Sequence, residues 1–222
     1  MSIVIAVDGT AASGKGTLAK LLARHFGFAH LDSGSLYRLV ALAVREAGGD
    51  PANEKHAVAA AHAIDLTRAG DPAIRSDSIG KAASLVSAYP AVRAALLRFQ
   101  RDFAARPVGA SPGAVIDGRD IGTVVCPNAT AKLFVDAAPQ VRAHRRRLEL
   151  ESLGIRRDEA DLRAEIVARD AADRCRPISP MMPAADADLL DTSDLSIDAA
   201  FAAALALVKP RIEAALKARP RG

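Results

Sequence analysis

The chain begins with an apolar run, Ile3-Val4-Ile5-Ala6-Val7-Asp8, followed by Gly9-Thr10-Ala11-Ala12-Ser13-Gly14-Lys15-Gly16-Thr17 and then by Leu18-Ala19-Lys20-Leu21-Leu22. The apolar run predicts a β-strand that is buried on both faces. In the third segment the apolar side chains fall on one helical face, and Gly27 follows as a stop signal. Strand, glycine-rich loop and helix therefore follow one another in the order that a phosphate-binding loop requires.

The glycine-rich loop has the residue types that an anion site needs. Gly9 and Gly14 let the backbone turn so that successive N–H groups point at an anion, and the helix N-terminus adds partial positive charge. Lys15 can reach the outer phosphates of a nucleotide. The alternative is an ordinary strand-to-helix turn, which seldom combines this whole spacing with the lysine. The residues predicted to bind ATP are Gly9, Thr10, Ala11, Ala12, Ser13, Gly14, Lys15, Gly16 and Thr17.

One position of the loop departs from the general pattern. That pattern places Ser or Thr directly after the lysine, where the hydroxyl holds Mg²⁺, whereas here Gly16 follows Lys15 and Thr17 comes next. This Gly-Lys-Gly-Thr version resembles that of nucleoside monophosphate kinases such as adenylate kinase. It indicates that Mg²⁺ is held mainly by nucleotide phosphates and water, which fits the reluctance of the ion to dehydrate. We therefore assign no metal ligand from the sequence.

Length and composition are those of a globular protein. The 222 residues can form one substantial core, and we predict a single domain over residues 1–222. No apolar run approaches the length of a membrane span, and the first residues lack a signal-type pattern, so we expect a cytoplasmic protein and no membrane partner. Cys126 and Cys175 have no neighbouring His at ligand spacing and are assigned no role.

The net charge of +4 raises the question of a nucleic-acid partner. Arg145-Arg146-Arg147 precedes Glu149 and Glu151, which is the mixed pattern of a solvated helix. Only two Tyr and no Trp are available for stacking on bases. We therefore expect no nucleic acid as partner, and arginines that converge on small phosphates instead.

Further apolar runs end in an acidic residue and alternate with helical patterns. These runs are Phe28–Asp32, Ala114–Asp117, Leu133–Asp136 and Leu189–Asp191. Alternation of this kind predicts a parallel sheet with helices on both faces, and ligands of such sheets bind beyond the carboxyl ends of the strands. We therefore expect Asp8, Asp32, Asp117 and Asp136 to lie towards one edge of the sheet.

Two segments depart from this alternation. Residues from about 50 to 106 are mostly helical and are predicted to form an excursion from the sheet. The stretch from about 142 to 180 is unusually charged. It suits either a mobile flap over the phosphates or a plain pair of surface helices, and the sequence alone leaves both open.

Two short motifs follow predicted strands. The stretch Asp32-Ser33-Gly34-Ser35-Leu36-Tyr37-Arg38 offers backbone N–H groups, hydroxyls and an arginine for a second anion site, although Asp-Ser-Gly is also a common helix cap. In Asp117-Gly118-Arg119-Asp120, the glycine permits a turn that would aim Arg119 and Asp120 into a cleft. The alternative for this motif is a salt-bridged turn.

Taken together, the motifs are far more specific than any one of them. The set comprises Gly9 to Thr17; Asp32-Ser33-Gly34 with Tyr37-Arg38; Ala83-Ser84 with Pro90 and Val92-Arg93; Asp117 to Asp120 with Gly122-Thr123-Val124-Val125; Ala143-His144-Arg145-Arg146; and Arg169-Asp170 through Arg176. In this order and spacing the set closely resembles the bacterial type of cytidylate kinase. The resemblance covers nearly the full length of the chain.

The resemblance implies an α/β P-loop kinase fold, in which helices flank a five-stranded parallel sheet. It also implies a helical acceptor-nucleotide insertion at about residues 50–106, a lid at about residues 142–158, and a monomer. The implied reaction transfers the terminal phosphoryl group of ATP to CMP or dCMP with Mg²⁺. A kinase for AMP, UMP or shikimate is the alternative within this class, and a nucleotide-dependent switch is the alternative outside it.

The resemblance also implies roles for individual residues. Ser33, Arg93, Asp120 and Arg176 would read the cytosine, Ser84 and Asp173 would hold the sugar, and Arg38, Arg119 and Arg169 would hold the acceptor phosphate. Lys15 and these three arginines form the implied catalytic group, and Arg145 and Arg146 match the lid and would bind ATP. One feature departs from the family, because Ala69–Ala73 crosses in a few residues the region where the family usually carries a β-hairpin.

Overall fold

The computed structural model describes residues 2–218. The strands are β1 (Ile3–Gly9), β2 (Ala29–Asp32), β3 (Gly113–Gly118), β4 (Ala131–Asp136) and β5 (Asp188–Asp191). They form a five-stranded parallel sheet in the order β2-β3-β1-β4-β5. The helices are α1 (Lys15–Phe26), α2 (Ser33–Glu46), α3 (Glu54–His62), α4 (Asp77–Val86), α5 (Pro90–Ala105), α6 (Pro139–Ser152), α7 (Glu159–Arg174) and α8 (Ile197–Lys217). The predicted parallel sheet flanked by helices is thus confirmed.

The described residues fall into two compact units. The first, called the sheet unit, contains the chain up to Leu31 and from Ala104 onward, and the second, called the helical unit, is Asp32–Phe103. Among residues 2–218 no helix is long and apolar enough to cross a membrane.

In the sheet unit the central strand β1 is buried along its whole length, as its apolar sequence predicts. It pairs with β3 on one side, where Asp8 lies opposite Gly118, and with β4 on the other, where Gly9 lies opposite Val135. Helices α1 and α8 bury apolar side chains against the sheet in one continuous core. A second apolar cluster joins α6 and α7 to Ala11, just beyond β1. These two packings position the glycine-rich loop.

The helical unit is built from α2 to α5 and two short 3₁₀ turns, Leu66–Gly70 and Pro72–Arg75. Side chains cap most of its helices at the N-terminus, as when Asp32 accepts from the backbone N–H of Ser35 at 3.2 Å. Of the described residues between α2 and β3, none lies in a β-strand. The segment Ala69–Ala73, where the family's hairpin is missing, spans the end of the first 3₁₀ turn, Asp71 and the start of the second.

Candidate active site

The loop between β1 and α1 has the backbone conformation that its glycines allow. Gly9 has φ 149°, and a Cβ at this position would collide with the carbonyl oxygen of Val135 on the neighbouring strand. Gly14 has φ 89° and caps α1 in the left-handed conformation. Ala12 also lies in the left-handed region, with φ 58°, although it has a Cβ. The loop therefore holds one strained non-glycine residue that its surroundings must stabilise.

Hydrogen bonds within the loop place the ammonium group of Lys15 above it. Lys15 donates from Nζ to the Thr10 carbonyl oxygen at 3.2 Å, and the buried Ser13 hydroxyl donates to the same oxygen at 3.1 Å. The Thr10 hydroxyl donates to Oδ1 of Asp136 at 2.6 Å, which ties the loop to the end of β4. Lysine, loop amides and the start of α1 thus lie together as an anion site needs.

Two charged side chains hold the loop from the side of α6 and α7. Asp170 on α7 accepts from the backbone N–H of Ala11 at 3.0 Å through Oδ1, and Arg142 on α6 donates from Nη1 to the Ala11 carbonyl oxygen at 3.0 Å. The two side chains also form an ion pair with each other, and their exposed fractions are only 4% and 1% for Arg142 and Asp170. A second bond from Arg142, from Nε to the Ala137 carbonyl oxygen at 2.8 Å, fixes the guanidinium.

The two arginines assigned to ATP lie on α6 and differ in their contacts. Arg145 donates to the Thr192 hydroxyl at 3.0 Å and to the Thr192 carbonyl oxygen at 2.6 Å, and the same hydroxyl donates to the Ser13 carbonyl oxygen at 3.0 Å. Arg146 forms an ion pair with Glu149, 2.9 Å away. Arg145 is therefore linked to the glycine-rich loop through Thr192 and through a longer bond of 3.5 Å to the Ser13 carbonyl oxygen, whereas Arg146 pairs with a glutamate of its own helix.

Beyond β3 the chain forms a π-helical turn, Ile121–Val125, that is held by Asp8. The Asp8 carboxylate accepts from the backbone N–H groups of Ile121 and Gly122 at 2.8 and 2.7 Å. Burial raises the pKa of Asp8 to about 7, against the two backbone hydrogen bonds, which lower it. Asp120, which is also buried, is the residue that precedes this turn. Asp8 therefore sets the backbone next to the carboxylate that we assigned to the base.

A cluster of opposite charges joins the Asp117–Asp120 motif to α7. Asp173 accepts from Nε of Arg119 at 2.9 Å and forms a second ion pair with Arg176. Burial alone would raise the pKa of Asp173, but the positive charges of Arg119, Arg176 and Arg169 together hold it below its usual value. The structure thus brings together four residues that the sequence assigned to the acceptor nucleotide.

Asp117, the first residue of that motif, lies at the end of β3 beside the glycine-rich loop. Its Oδ1 is 2.8 Å from Nε2 of His30, and a Cβ on Gly16 would lie 3.5 Å from its Oδ2. Gly16 replaces the usual Ser or Thr and has no side chain. The Asp117 carboxylate therefore lies close to the backbone at the start of α1. Among residues 2–218 no group of three or more His, Cys, Asp or Glu could hold a metal by itself.

The helical unit holds the other residues assigned to the acceptor. Arg38 donates to the Ile74 carbonyl oxygen at 2.7 Å, and Ser84 donates to the Gly80 carbonyl oxygen at 3.3 Å. The buried guanidinium of Arg93 lies 5.5 Å from the centre of the Tyr37 ring, a cation–π distance. Ser33 is buried as the first residue of α2.

Four residues of this site were missed by the sequence analysis: Asp8, Arg142, Asp170 and Thr192. Asp8 and Asp170 were quoted within motifs, but no role was derived for either. A signal existed for Asp170, because it directly follows Arg169 inside a matched motif. Arg142 lies in a charged stretch whose pattern is typical of exposed helices, and Thr192 belongs to no motif that we recognised.

The sheet order, the glycine-rich loop and Lys15 define the chain as a P-loop protein of the kinase type. A family model described as cytidylate kinase matches residues 5–210. A cytidylate kinase of Nitrobacter winogradskyi is 56% identical over 207 residues, which cover 93% of this chain and 96% of that relative. A second cytidylate kinase, of Bradyrhizobium diazoefficiens, is 51% identical over 220 residues, which cover 99% of this chain and 100% of that relative.

Among solved structures, an uncharacterized protein from Eubacterium ventriosum has a similar fold with a TM-score of 0.53 at 14% identity, covering 93% of this chain and 98% of that one. The chain belongs to the cytidylate kinase family. The resemblance that the motifs indicated is thereby confirmed.

Proposed function

We propose that this chain transfers the terminal phosphoryl group of ATP to CMP and dCMP. Membership of the cytidylate kinase family supports the acceptor. The observation that carries the reaction type is the glycine-rich loop, in which Lys15, the first residue of α1, donates from its ammonium group to the Thr10 carbonyl oxygen. Because phosphoryl transfer requires little covalent chemistry from the protein, positioning and charge neutralisation supply most of the rate.

On the donor side, Lys15 and the N–H groups of residues 9–17 bind the ATP phosphates. Arg145 and Arg146 on α6 bind ATP from the predicted lid, over about residues 142–158, and exclude water that would otherwise hydrolyse it. Mg²⁺, when bound with ATP, neutralises phosphate charge, and its ligands are phosphate oxygens and water.

On the acceptor side, arginines bind the phosphate that attacks. We assign Arg38, Arg119 and Arg169 to this phosphate, and the ion pair of Arg119 with Asp173 supports the assignment because it pre-orients the guanidinium. No separate general base is needed, since the attacking oxygen belongs to an ionised phosphate. Asp173 and Ser84 bind the sugar, and Ser33, Arg93, Asp120 and Arg176 bind the cytosine.

The proposal extends to location and assembly. We propose the cytoplasm as the location of the chain. We propose a monomer that acts on small nucleotides and has neither nucleic acid nor membrane as partner.

The decisive experiment is ATP consumption by the purified chain against a panel of CMP, dCMP, UMP, AMP and shikimate, each with Mg²⁺. We expect CMP and dCMP to have the highest kcat/KM. Preference for another acceptor would assign the chain to that kinase class. Tight ATP binding without turnover on any acceptor would support the nucleotide-dependent switch instead.

A further inference from the structure

The peptide groups on both sides of Ala11 are held by two helices that lie outside the loop. Its N–H donates to Asp170 and its carbonyl oxygen accepts from Arg142, each at 3.0 Å. Both charged side chains are almost completely buried and pair with each other. A pair of this kind stabilises a fold only weakly, because desolvation offsets most of the attraction between the charges. Its contacts with Ala11 therefore suggest a role other than stability.

Holding the Ala11 carbonyl also fixes the direction of the next N–H group. The peptide unit is planar and trans, so the N–H of Ala12 points opposite to the C=O of Ala11. With the carbonyl directed at Arg142, that N–H points to the side of the loop away from Arg142. A rotation of the peptide between Ala11 and Ala12 would turn the Ala12 N–H away from a ligand on that side of the loop. The Ala11 carbonyl oxygen, with its partial negative charge, would then face the ligand.

The rotation has a driving force in the strain at Ala12. Ala12, with φ 58°, lies in the left-handed region although it has a Cβ, and such residues persist only where the surroundings determine the conformation. The surroundings of Ala12 include the two hydrogen bonds to Ala11 and the apolar cluster formed by α6 and α7. Without the hydrogen bonds, the loop could relax into conformations in which the Ala12 N–H no longer faces a phosphate.

We propose that Arg142 and Asp170 are positioning residues for the donor nucleotide, which hold the strained loop so that the Ala12 N–H binds a phosphate oxygen of ATP. This inference rests on the proposed function for the identity of the donor. Neither residue needs to touch ATP, because both act through the backbone of Ala11. Through this pair, the phosphate-binding conformation of the loop depends on how α6 and α7 pack against it.

The test replaces the pair by apolar side chains that keep the packing but cannot bond to the Ala11 backbone. In the double variant Arg142→Met with Asp170→Leu no buried charge is left alone, but the Ala11 N–H, the Ala11 carbonyl and the Ala137 carbonyl lose their partners. We expect a lower melting temperature with a transition that is still cooperative, and a Kd for ATP, measured by titration calorimetry without acceptor at a temperature where the variant is folded, at least tenfold weaker. The Kd for CMP, measured without ATP, should stay within about twofold.

A Kd for ATP within twofold of the wild-type value in the folded double variant would overturn the proposal. Should that variant fail to fold, Asp170→Asn serves instead, because it keeps the shape and one acceptor for the Ala11 N–H but loses the charge that orients Arg142. A Kd for ATP at least threefold weaker in Asp170→Asn supports the proposal. An unchanged Kd counts against the proposal. Failure of this conservative variant to fold also counts against it, because the role of the pair would then be purely structural. Arg211→Met, which removes an exposed ion pair with Asp188, is the control and should leave the Kd unchanged.

The ATP titration also separates this inference from the proposed function. If the wild-type chain binds ATP but phosphorylates neither CMP nor dCMP, the proposed function fails while the positioning role is still measured. If CMP is phosphorylated and the double variant binds ATP normally, only the positioning role fails.

Discussion

Asp173 on α7 accepts a hydrogen bond from Nε of Arg119 at 2.9 Å, although 54 positions separate the two residues in the chain. The second carboxylate oxygen of Asp173 pairs with Arg176. One buried carboxylate therefore orients two guanidinium groups that the family resemblance assigns to different parts of the acceptor, its phosphate and its base. Any change at Asp173 should consequently disturb acceptor binding more than donor binding.

Asp173→Asn tests this consequence. The amide keeps the shape and one acceptor but loses the charge that holds Arg119 and Arg176, so we expect the KM for CMP to rise about tenfold, or 1.4 kcal/mol. The Kd for ATP should change by less than twofold. Asp186→Asn is the control, since Asp186 pairs with Lys132 but is mostly exposed. Equal losses for both nucleotides would show that Asp173 acts on the whole fold.

Lys15→Ala removes the ammonium group that lies over the glycine-rich loop. We expect turnover to fall by roughly a thousandfold or more, as for loss of a transition-state cation. The melting temperature should barely change, because the hydrogen bond from the ammonium group to the Thr10 carbonyl is local to the loop and joins no distant elements. Lys20→Ala, an exposed change on the same helix, is the control in steady-state assays. Near-normal turnover of Lys15→Ala would remove the main premise of the donor site.

The fold was predictable because apolar strands and the loop between β1 and α1 have strong local signals. The run Ile3–Val7 has the buried pattern of a central parallel strand, and the acidic residues Asp8, Asp117 and Asp136 do lie at or next to the ends of their strands. No periodicity, however, reveals a buried ion pair. Arg142 and Asp170 fall in a charged stretch, and only the packing of α6 on α7 shows that both are inside.

The stretch Arg145-Arg146-Arg147 shows what a local charge pattern can predict and what it cannot. Arg146 and Arg147 pair with Glu149 and Glu151, but their side chains are only 20% and 27% exposed, and Arg147 also pairs with Glu159 of α7. Arg145 differs, because it turns towards Thr192, a residue 47 positions away. Which of three adjacent arginines turns inward depends on contacts between distant elements, and these are not encoded in local pattern. The roles of the assigned arginines towards nucleotide remain predictions.

Asp8 should give the protein a measurable dependence of stability on pH. Its pKa is raised to about 7 in the folded state from an ordinary value of 3.8, so between these limits the folded state holds a proton that the unfolded state has lost. Stability contributed by this proton is present at low pH and falls as pH rises through about 4 to 7. At 1.36 kcal/mol for each pKa unit, the loss is on the order of 4 kcal/mol at most.

Urea unfolding of the wild type and Asp8→Asn at pH 5, 6, 7 and 8 checks this dependence. Asparagine cannot titrate, so its penalty should be largest relative to the wild type at pH 5 and smallest at pH 8. Asp194→Asn, the same change at an exposed position, leaves Asp8 in place and should run parallel to the wild type in this range. If the Asp8→Asn profile is also parallel, Asp8 does not titrate in this window.

The short segment Ala69–Ala73 should weaken acceptor binding modestly. Arg68 pairs with Glu46 and Asp71 around this segment, and the three side chains are 38%, 48% and 24% exposed, so the pairs add little to stability. The segment offers less surface to a bound acceptor than a hairpin would. Grafting the family's hairpin between Gly70 and Ile74 should therefore lower the KM for CMP and leave the KM for ATP unchanged. An unaltered KM for CMP would show that the missing hairpin has no effect on acceptor binding.

We predict that the carboxylate of Asp120 determines the choice of base. Cytosine and uracil have nearly the same shape, so cavity size alone cannot separate them. They differ at position 4, where cytosine carries an amine donor and uracil a carbonyl acceptor. An ionised carboxylate only accepts, so Asp120 facing this position favours cytosine and repels uracil. Polar groups left unpaired at such a site can reject a near-isostere by factors of up to roughly 10⁴.

Asp120→Asn places a donor at the same buried position, next to a turn whose backbone Asp8 continues to hold. We expect it to lose CMP activity and to narrow the ratio of kcat/KM for CMP over UMP by at least about tenfold, or 1.4 kcal/mol. Arg93→Met is the comparison, because an arginine donates to ring acceptors that both bases share, so it should lower both activities and leave the ratio nearly constant. Steady-state kinetics with both acceptors decide between the two residues. An unchanged ratio in Asp120→Asn would mean that this carboxylate does not read the base, and that discrimination must come from elsewhere in the acceptor site.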